Sequence, residues 1–270
     1  MHFLYLLEQV TGIEPVNCAW EAHILPLNYT CVYKKYITTN NFRQQKQTIK
    51  KNHIFIICFH TNIGEVNMVK FIDETSCFIG ESVSFGENVV IYENNHITGN
   101  VSIGDNSIIL PGNFIENTKI GKNCRIHNSV IEESVIENNV SIGPFARIRP
   151  NSKIDDNAKI GNFVEIKNSR IGKNSKISHL AYVGDASIGE DCNIGCGVIF
   201  ANYNGKTKNH TTVQNHVFIG SNCNIIAPVN IEKDSYICAG TTVTEDVKCG
   251  DMVIGRSRQE IKPNKAKKYW

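Results

Sequence analysis

Residues 142–203 read "IGPFARIRPNSKIDDNAKIGNFVEIKNSRIGKNSKISHLAYVGDASIGEDCNIGCGVIFANY". An aliphatic residue returns every six positions, at Ile142, Ile148, Ile154, Ile160 and Ile166. The step shortens to five at Ile171, and the run resumes at Ile177, Val183, Ile188 and Ile194. Glycine often follows the anchor, as at Gly143, Gly161, Gly172 and Gly195. Four residues past the anchor sits a small or modest side chain: Ala146, Ser152, Ala158, Val164, Ser175, Ala181, Cys192. No helix has such a period, because 3.6 residues per turn would place apolar side chains at i, i+3 and i+4. The pattern is that of a hexapeptide β-helix, an all-β fold. Each hexad supplies a short strand and a turn. Three hexads close a triangular coil of about 18 residues, and stacked coils align their anchors into apolar columns. Glycine suits the corners that need unusual backbone angles. Spacing does not reveal the hand of the coil.

Working outward from this stretch, the period already runs at Ile79, Phe85, Ile91, Ile97, Ile103, Ile109 and Ile115. Five-residue steps follow at Ile120, Ile131 and Ile136, and a corner can absorb each such deletion. Asn, Glu, Ser and Gly fill this part, which reads as scaffold, with His96 and His127 facing solvent. After Phe200 the period fails over "ANYNGKTKNHTT" and returns at Val213, Ile219, Ile225, Ile231, Ile237 and Val243. Residues 201–212 therefore loop out from the coil, and binding residues concentrate on loops held by rigid scaffolds. Residues 1–67 show no steady period and lie outside the repeat, either as an extension packed on the coil or as a segment upstream of a start at Met68. The expected division is a repeat domain over 68–253 and a basic tail over 254–270, which carries Arg256, Arg258, Lys262, Lys265, Lys267 and Lys268.

Composition excludes several classes. A net charge of +2 gives no bulk attraction to nucleic acid or to a membrane surface, so neither partner is expected. The best apolar run, Ile54 to Phe59, is far too short to span a bilayer. "MHFLYLLEQV" lacks the basic start of a secretory leader, and a cytoplasmic location is expected. Of ten cysteines, Cys124, Cys192 and Cys223 fall four past an anchor, where a thiol packs as a small hydrophobe. No CxxC pair occurs, so reduced structural thiols are expected and no metal site is.

The strings "IGPFARIRP" (142–150), "GNFVEIKNSRIGKNSKISHLAYVGDASIG" (161–189), "NIGCGVIFANYNG" (193–205) and "AGTTVTEDV" (239–247) follow a known family in order and spacing. From about Met68 to Arg256 the chain resembles the C-terminal, acetyltransferase half of the bifunctional N-acetylglucosamine-1-phosphate uridyltransferase/glucosamine-1-phosphate acetyltransferases. The resemblance implies a left-handed β-helix, although parallel crossovers are right-handed as a rule. It implies a homotrimer with sites between neighbouring subunits, and direct transfer of acetyl from acetyl-CoA to the amine of glucosamine 1-phosphate. Nothing in this chain matches the uridyltransferase half.

That chemistry needs a base for an ammonium, cations for a sugar phosphate and a berth for coenzyme A. By resemblance His179, in "SHLAY", is the general base, and a histidine side chain titrates near neutral pH. Arg149 and Lys167 match the phosphate and sugar ligands, a planar fork and a point charge respectively. Strand alternation alone does not separate Arg147 from Arg149. Tyr182 and Asn193 match sugar-binding positions. Cys196, Asn202, Tyr203, Ser221, Ala239 and Arg256 match coenzyme A positions. Cys196 departs from the family's usual alanine and is not read as a nucleophile. Two other acceptable readings are transfer to another amino sugar and a non-catalytic trimeric scaffold beside a separate uridyltransferase. A zinc-dependent hexapeptide enzyme is disfavoured, since His179, His210 and His216 do not fall at matching coil positions.

Overall fold

The computed structural model describes residues 66–270, together with strands Thr30–Val32, Lys46–Lys51 and Ile54–His60. The repeat forms a left-handed parallel β-helix of about ten turns; the hexad period predicts the coil and the family resemblance its hand. The anchors form three columns. On the first face lie Ile142, Ile160, Ile177, Ile194, Ile219 and Ile237, paired in parallel register from coil to coil. The second face carries Ile148, Ile166, Val183, Phe200, Ile225 and Val243. The third carries Ile154, Ile171, Ile188, Val213 and Ile231. All of these are buried, and so are the residues four past an anchor, from Ala146 to Cys223.

The corners explain the tolerance for short steps. In most six-residue steps the third residue past the anchor takes a left-handed conformation. Asn151, Asn157 and Asn174 do so at φ 61, 59 and 60°, a region that asparagine tolerates better than most residues. In a five-residue step the left-handed residue moves to the second position, as at Asn117, Asn128, Glu133 and Asn168. The anchors therefore stay in register. The step from Val183 to Ile188, read above as part of the regular run, is also five residues long. It places Asp185 at φ 50° directly after Asn168 on the same corner of the preceding coil. Asparagine side chains also ladder between coils, with Asn157 Nδ2 donating to Asn174 at 3.1 Å.

The buried cysteines are free. Cys124 and Cys192 donate their thiols to the carbonyls of Glu137 and Gln214 at 3.0 Å each, and burial pushes both thiols up. At the N-terminal end, Val66–Phe71 pairs in parallel with Val90–Ile91, so the coil's hydrogen bonding starts there. Ile54–His60 pairs antiparallel with Val66–Phe71, and Lys46–Lys51 with Ile54–His60. These strands continue the sheet past the first coil, across the expected boundary at Met68. Among the described residues no helix is long and apolar enough to cross a membrane.

Candidate functional site

Two strands differ from the rest. Lys159–Lys167 and Lys176–Gly184 are nine residues long, and each rounds the corner from the first to the second face without a break. The left-handed residues at the bend are Phe163 and Leu180. Each strand thus bears one set of side chains at the bend and another past it, across the second face.

The far end of the second face gathers a polar cluster. Asp185 is buried at 7 % exposure. Its carboxylate accepts from Lys167 Nζ at 3.1 and 3.2 Å, from Asn168 Nδ2 at 2.7 Å and from Asn202 Nδ2. Asn202 also approaches the Tyr182 hydroxyl at 3.4 Å. Gly184 leaves the room for this, since a Cβ there would collide with the Tyr182 hydroxyl and the Asn202 amide. Arg149, one coil before Lys167, donates Nη1 to Glu165 Oε1 at 2.9 Å. Arg147, outward on its strand, instead reaches Glu132 of the preceding coil at 3.6 Å, so the two arginines have different partners.

Charge in this cluster is unevenly satisfied. Burial works against the Lys167 ammonium, but the Asp185 partner outweighs it and holds Lys167 above its ordinary value. Burial also raises Asp185, yet its donors Asn168, Lys167 and Asn202 win and hold it below the ordinary carboxylate value. Lys208, returning on the looped-out segment, is pushed down by the neighbouring Lys167 ammonium. Lys208 has no ion-pair partner among the described residues. Three cations around two neutralised carboxylates therefore leave net positive charge, which suits an anion. A carboxylate with a lowered folded pKa stabilises the fold above its unfolded value and stops doing so as pH falls through the folded one. Asp185→Asn is thus expected to cost about 1–3 kcal/mol at neutral pH. In thermal melts the gap from wild type should close as pH is lowered through and below the ordinary carboxylate range; a gap that persists in acid would contradict this electrostatic origin.

The bend between the first and second faces gathers the other set. His179 is exposed, and its Nδ1 lies 2.7 Å from Asn162 Oδ1 of the preceding coil. His179, Cys196, Ser221 and Ala239 each sit two residues past a first-face anchor and so occupy one column of corners. Glycines before Cys196 and Ser221 permit this stacking: a Cβ on Gly195 would lie 2.6 Å from the Ser221 nitrogen, and one on Gly220 2.5 Å from that of Ala239. Arg256 donates Nη1 to the Ala239 carbonyl at 3.0 Å.

The site residues expected from the sequence therefore fall into two groups. Arg149, Lys167, Tyr182 and Asn202 share one end of the second face, whereas His179, Cys196, Ser221, Ala239 and Arg256 share the other. Asn202, expected with the coenzyme set, is tied by Asp185 to the sugar set. Asn193 lies outside both, half-buried on the first face, and Tyr203 is exposed on the loop, its hydroxyl donating to the Gly205 carbonyl at 2.7 Å. Sequence reading did not assign roles to Asp185, Lys208 or Asn162. The five-residue step at Asp185 and the lysine in the excursion were visible signals; Asn162 had none. A separate open groove of about 460 Å³ lies on the third face, lined by Asp155, Arg170, Ser187, Gln214 and Lys233 among others, and none of the expected site residues borders it. Among the described residues no three His, Cys, Asp or Glu side chains cluster as metal ligands do.

Known proteins resemble this chain along the same repeat. A family profile described as "GMPPB C-terminal domain" matches residues 130–203, and "Hexapeptide repeat of succinyl-transferase" matches 211–245. Bifunctional protein GlmU of Caldicellulosiruptor saccharolyticus is 51 % identical over 194 residues, 72 % of this chain and 42 % of that protein. The Clostridium beijerinckii protein of the same name is 42 % identical over 229 residues, 84 % of this chain and 49 % of that one. The chain thus spans half or less of the length of these curated relatives. The structure of an Arabidopsis UDP-N-acetylglucosamine acyltransferase superposes with a TM-score of 0.52 at 22 % identity, over 67 % of this chain and 70 % of that one, a likeness of fold. Over its repeat region this chain is a hexapeptide-repeat β-helix protein homologous to the bifunctional GlmU proteins, and its matches fit the acetyltransferase half of that family.

Proposed function

We propose that this chain is an acyltransferase that moves acetyl from acetyl-CoA to the amine of glucosamine 1-phosphate, on the way to UDP-N-acetylglucosamine. The observation that carries this reading is the strand Lys176–Gly184. It presents His179 at its bend, and Tyr182 past the bend beside the Lys167–Asp185–Asn202 cluster. The cations Arg149, Lys167 and Lys208 receive the sugar phosphate. Tyr182 and Asn193 hold the sugar. His179 takes a proton from the acceptor nitrogen as it attacks the thioester carbonyl. The new C–N bond forms, the C–S bond breaks, and the proton passes from His179 to the departing sulfur. The other ammonium proton goes to water. Cys196, Ser221, Ala239 and Arg256 flank the coenzyme, with Asn202 and Tyr203 at the root of the loop.

The assembly in this reading is a homotrimer with the site between subunits. Two features support it. The two groups of residues stand on opposite sides of a bend on one chain. Beside His179 runs a stripe of exposed apolar side chains, Phe145, Phe163 and Leu180, 53–58 % exposed. Such a stripe is usual at protein interfaces.

The test is a steady-state assay of the purified chain that follows free CoA thiol with acetyl-CoA and glucosamine 1-phosphate. Thiol release that saturates in both substrates is the expected result. Release with other amino sugars but not with glucosamine 1-phosphate would reassign the acceptor, and none with any would leave a scaffold. Arg256→Ala is expected to weaken acetyl-CoA about ten- to a hundred-fold, the cost of one charge-assisted phosphate contact. A loss confined to glucosamine 1-phosphate would place Arg256 elsewhere.

A further inference from the structure

Asn162 and His179 are register partners on neighbouring strands. Both are two residues past a first-face anchor, and each directly precedes the left-handed residue of the bend, Phe163 at φ 57° and Leu180 at φ 40°. Identical corner geometry on successive coils stacks the two side chains at the strand spacing of about 4.8 Å. The asparagine carbonyl oxygen meets the ring at Nδ1, 2.7 Å away. An amide oxygen only accepts, so in the neutral ring the proton sits on Nδ1. Nε2 then carries the lone pair and has no hydrogen-bond partner among the described residues. The charged groups of these strands stand elsewhere. Glu165 is held by Arg149 at 2.9 Å, and Lys159 and Lys176 precede the bend on the first face.

We propose that Asn162 is a positioning residue that sets the tautomer and orientation of His179, so that Nε2 is the nitrogen that accepts the acceptor's proton. This deepens the function proposed above and rests on it for its catalytic part. When Nε2 takes a proton the ring becomes imidazolium, and Nδ1–H stays on the Asn162 oxygen throughout. The ring therefore does not need to turn between accepting the proton and giving it to the departing sulfur. Being neutral, Asn162 orients the base without adding the charge that a carboxylate would bring.

The test uses the full chain with ¹⁵N-labelled histidine. Its nine histidines make a His179→Ala spectrum necessary to assign the ring. Above the imidazole titration, two-bond N–H correlations should show wild-type His179 protonated at Nδ1. Asn162→Ala should move it toward the Nε2–H form and lower kcat about tenfold with both KM values little changed, as for one lost orienting hydrogen bond. Asn162→Asp should keep the Nδ1–H form and move the acid limb of the pH–kcat profile upward, because a carboxylate favours imidazolium. A wild-type ring protonated mainly at Nε2, or an Asn162→Ala chain with unchanged tautomer and kcat, overturns the proposal. If Asn162→Ala does not fold, the wild-type spectrum and Asn162→Asp decide it. If no amino sugar is acetylated, the functional reading fails, while the spectra still show whether Asn162 sets the ring.

Discussion

His179→Ala is expected to lower kcat for acetyl transfer by about 10²–10⁴-fold, the usual cost of losing a general base. The acceptor amine arrives mostly as ammonium, which has no lone pair to attack a thioester. Some group must take its proton, and few are placed to do so. Asp185 is engaged by Lys167, Asn168 and Asn202, and is held below the ordinary carboxylate range. Glu165 is paired with Arg149. His179 is exposed, and the hydrogen bond to Asn162 leaves its other ring nitrogen open. Because the side chain packs against little, the variant should keep its melting temperature and its affinity for acetyl-CoA. The wild-type rate should rise with pH through an ionisation that the variant lacks. A variant that retains more than about a tenth of wild-type kcat lies outside the range for a general base. That result would mean that the proton leaves by another route and that His179 only positions the sugar.

The largest expected effect on stability is at Phe200. It is fully buried, and it is the one aromatic anchor on a second-face column otherwise built here from Ile and Val. It pairs in register with Ile225, and it ends the regular run before the looped-out segment. Phe200→Ala removes most of a ring from the interior of a narrow coil, and the rigid sheets on each side limit collapse into the space. The expected cost is about 3–5 kcal/mol. At about 2–4 °C per kcal/mol for a domain of this size, thermal melts will show it plainly. Phe200→Leu should cost roughly 1.5 kcal/mol or less, since it keeps more of the volume. In a solenoid each coil contacts only its neighbours, so the damage should concentrate in the coils around Phe200 and in the loop that follows. Hydrogen exchange should accelerate there first. A Phe200→Ala chain within about 1 kcal/mol of wild type would show that the coil relaxes around the gap.

The sequence alone determined the architecture, because in a solenoid the fold is a local rule repeated. Each hexad carries its own strand, its own inward anchor and its own corner, and its contacts lie one coil away. The anchors from Ile79 to Val243, and the small residues four past them, could therefore be read off the period and lie inside as expected, apart from the part-buried Ile79 and Phe85 at the first coil. The candidate residues were legible for a different reason: strings such as "EIKN" and "SHLAY" match a family whose chemistry supplies the roles. Only the tertiary structure decided which of these residues meet. Side chains on successive coils touch according to the length of each corner. One residue fewer moves the left-handed position and turns a side chain toward the coil beside it. The short step at Asp185 aims its carboxylate at Lys167 and Asn202, and the excursion brings Lys208 back beside Lys167. Asn162 and His179 both stand two past a first-face anchor on the same bend, and the register pairing of their strands sets them side by side. The period of the repeat is an average over such corners, so it fixes the columns but not the individual contacts that arm them.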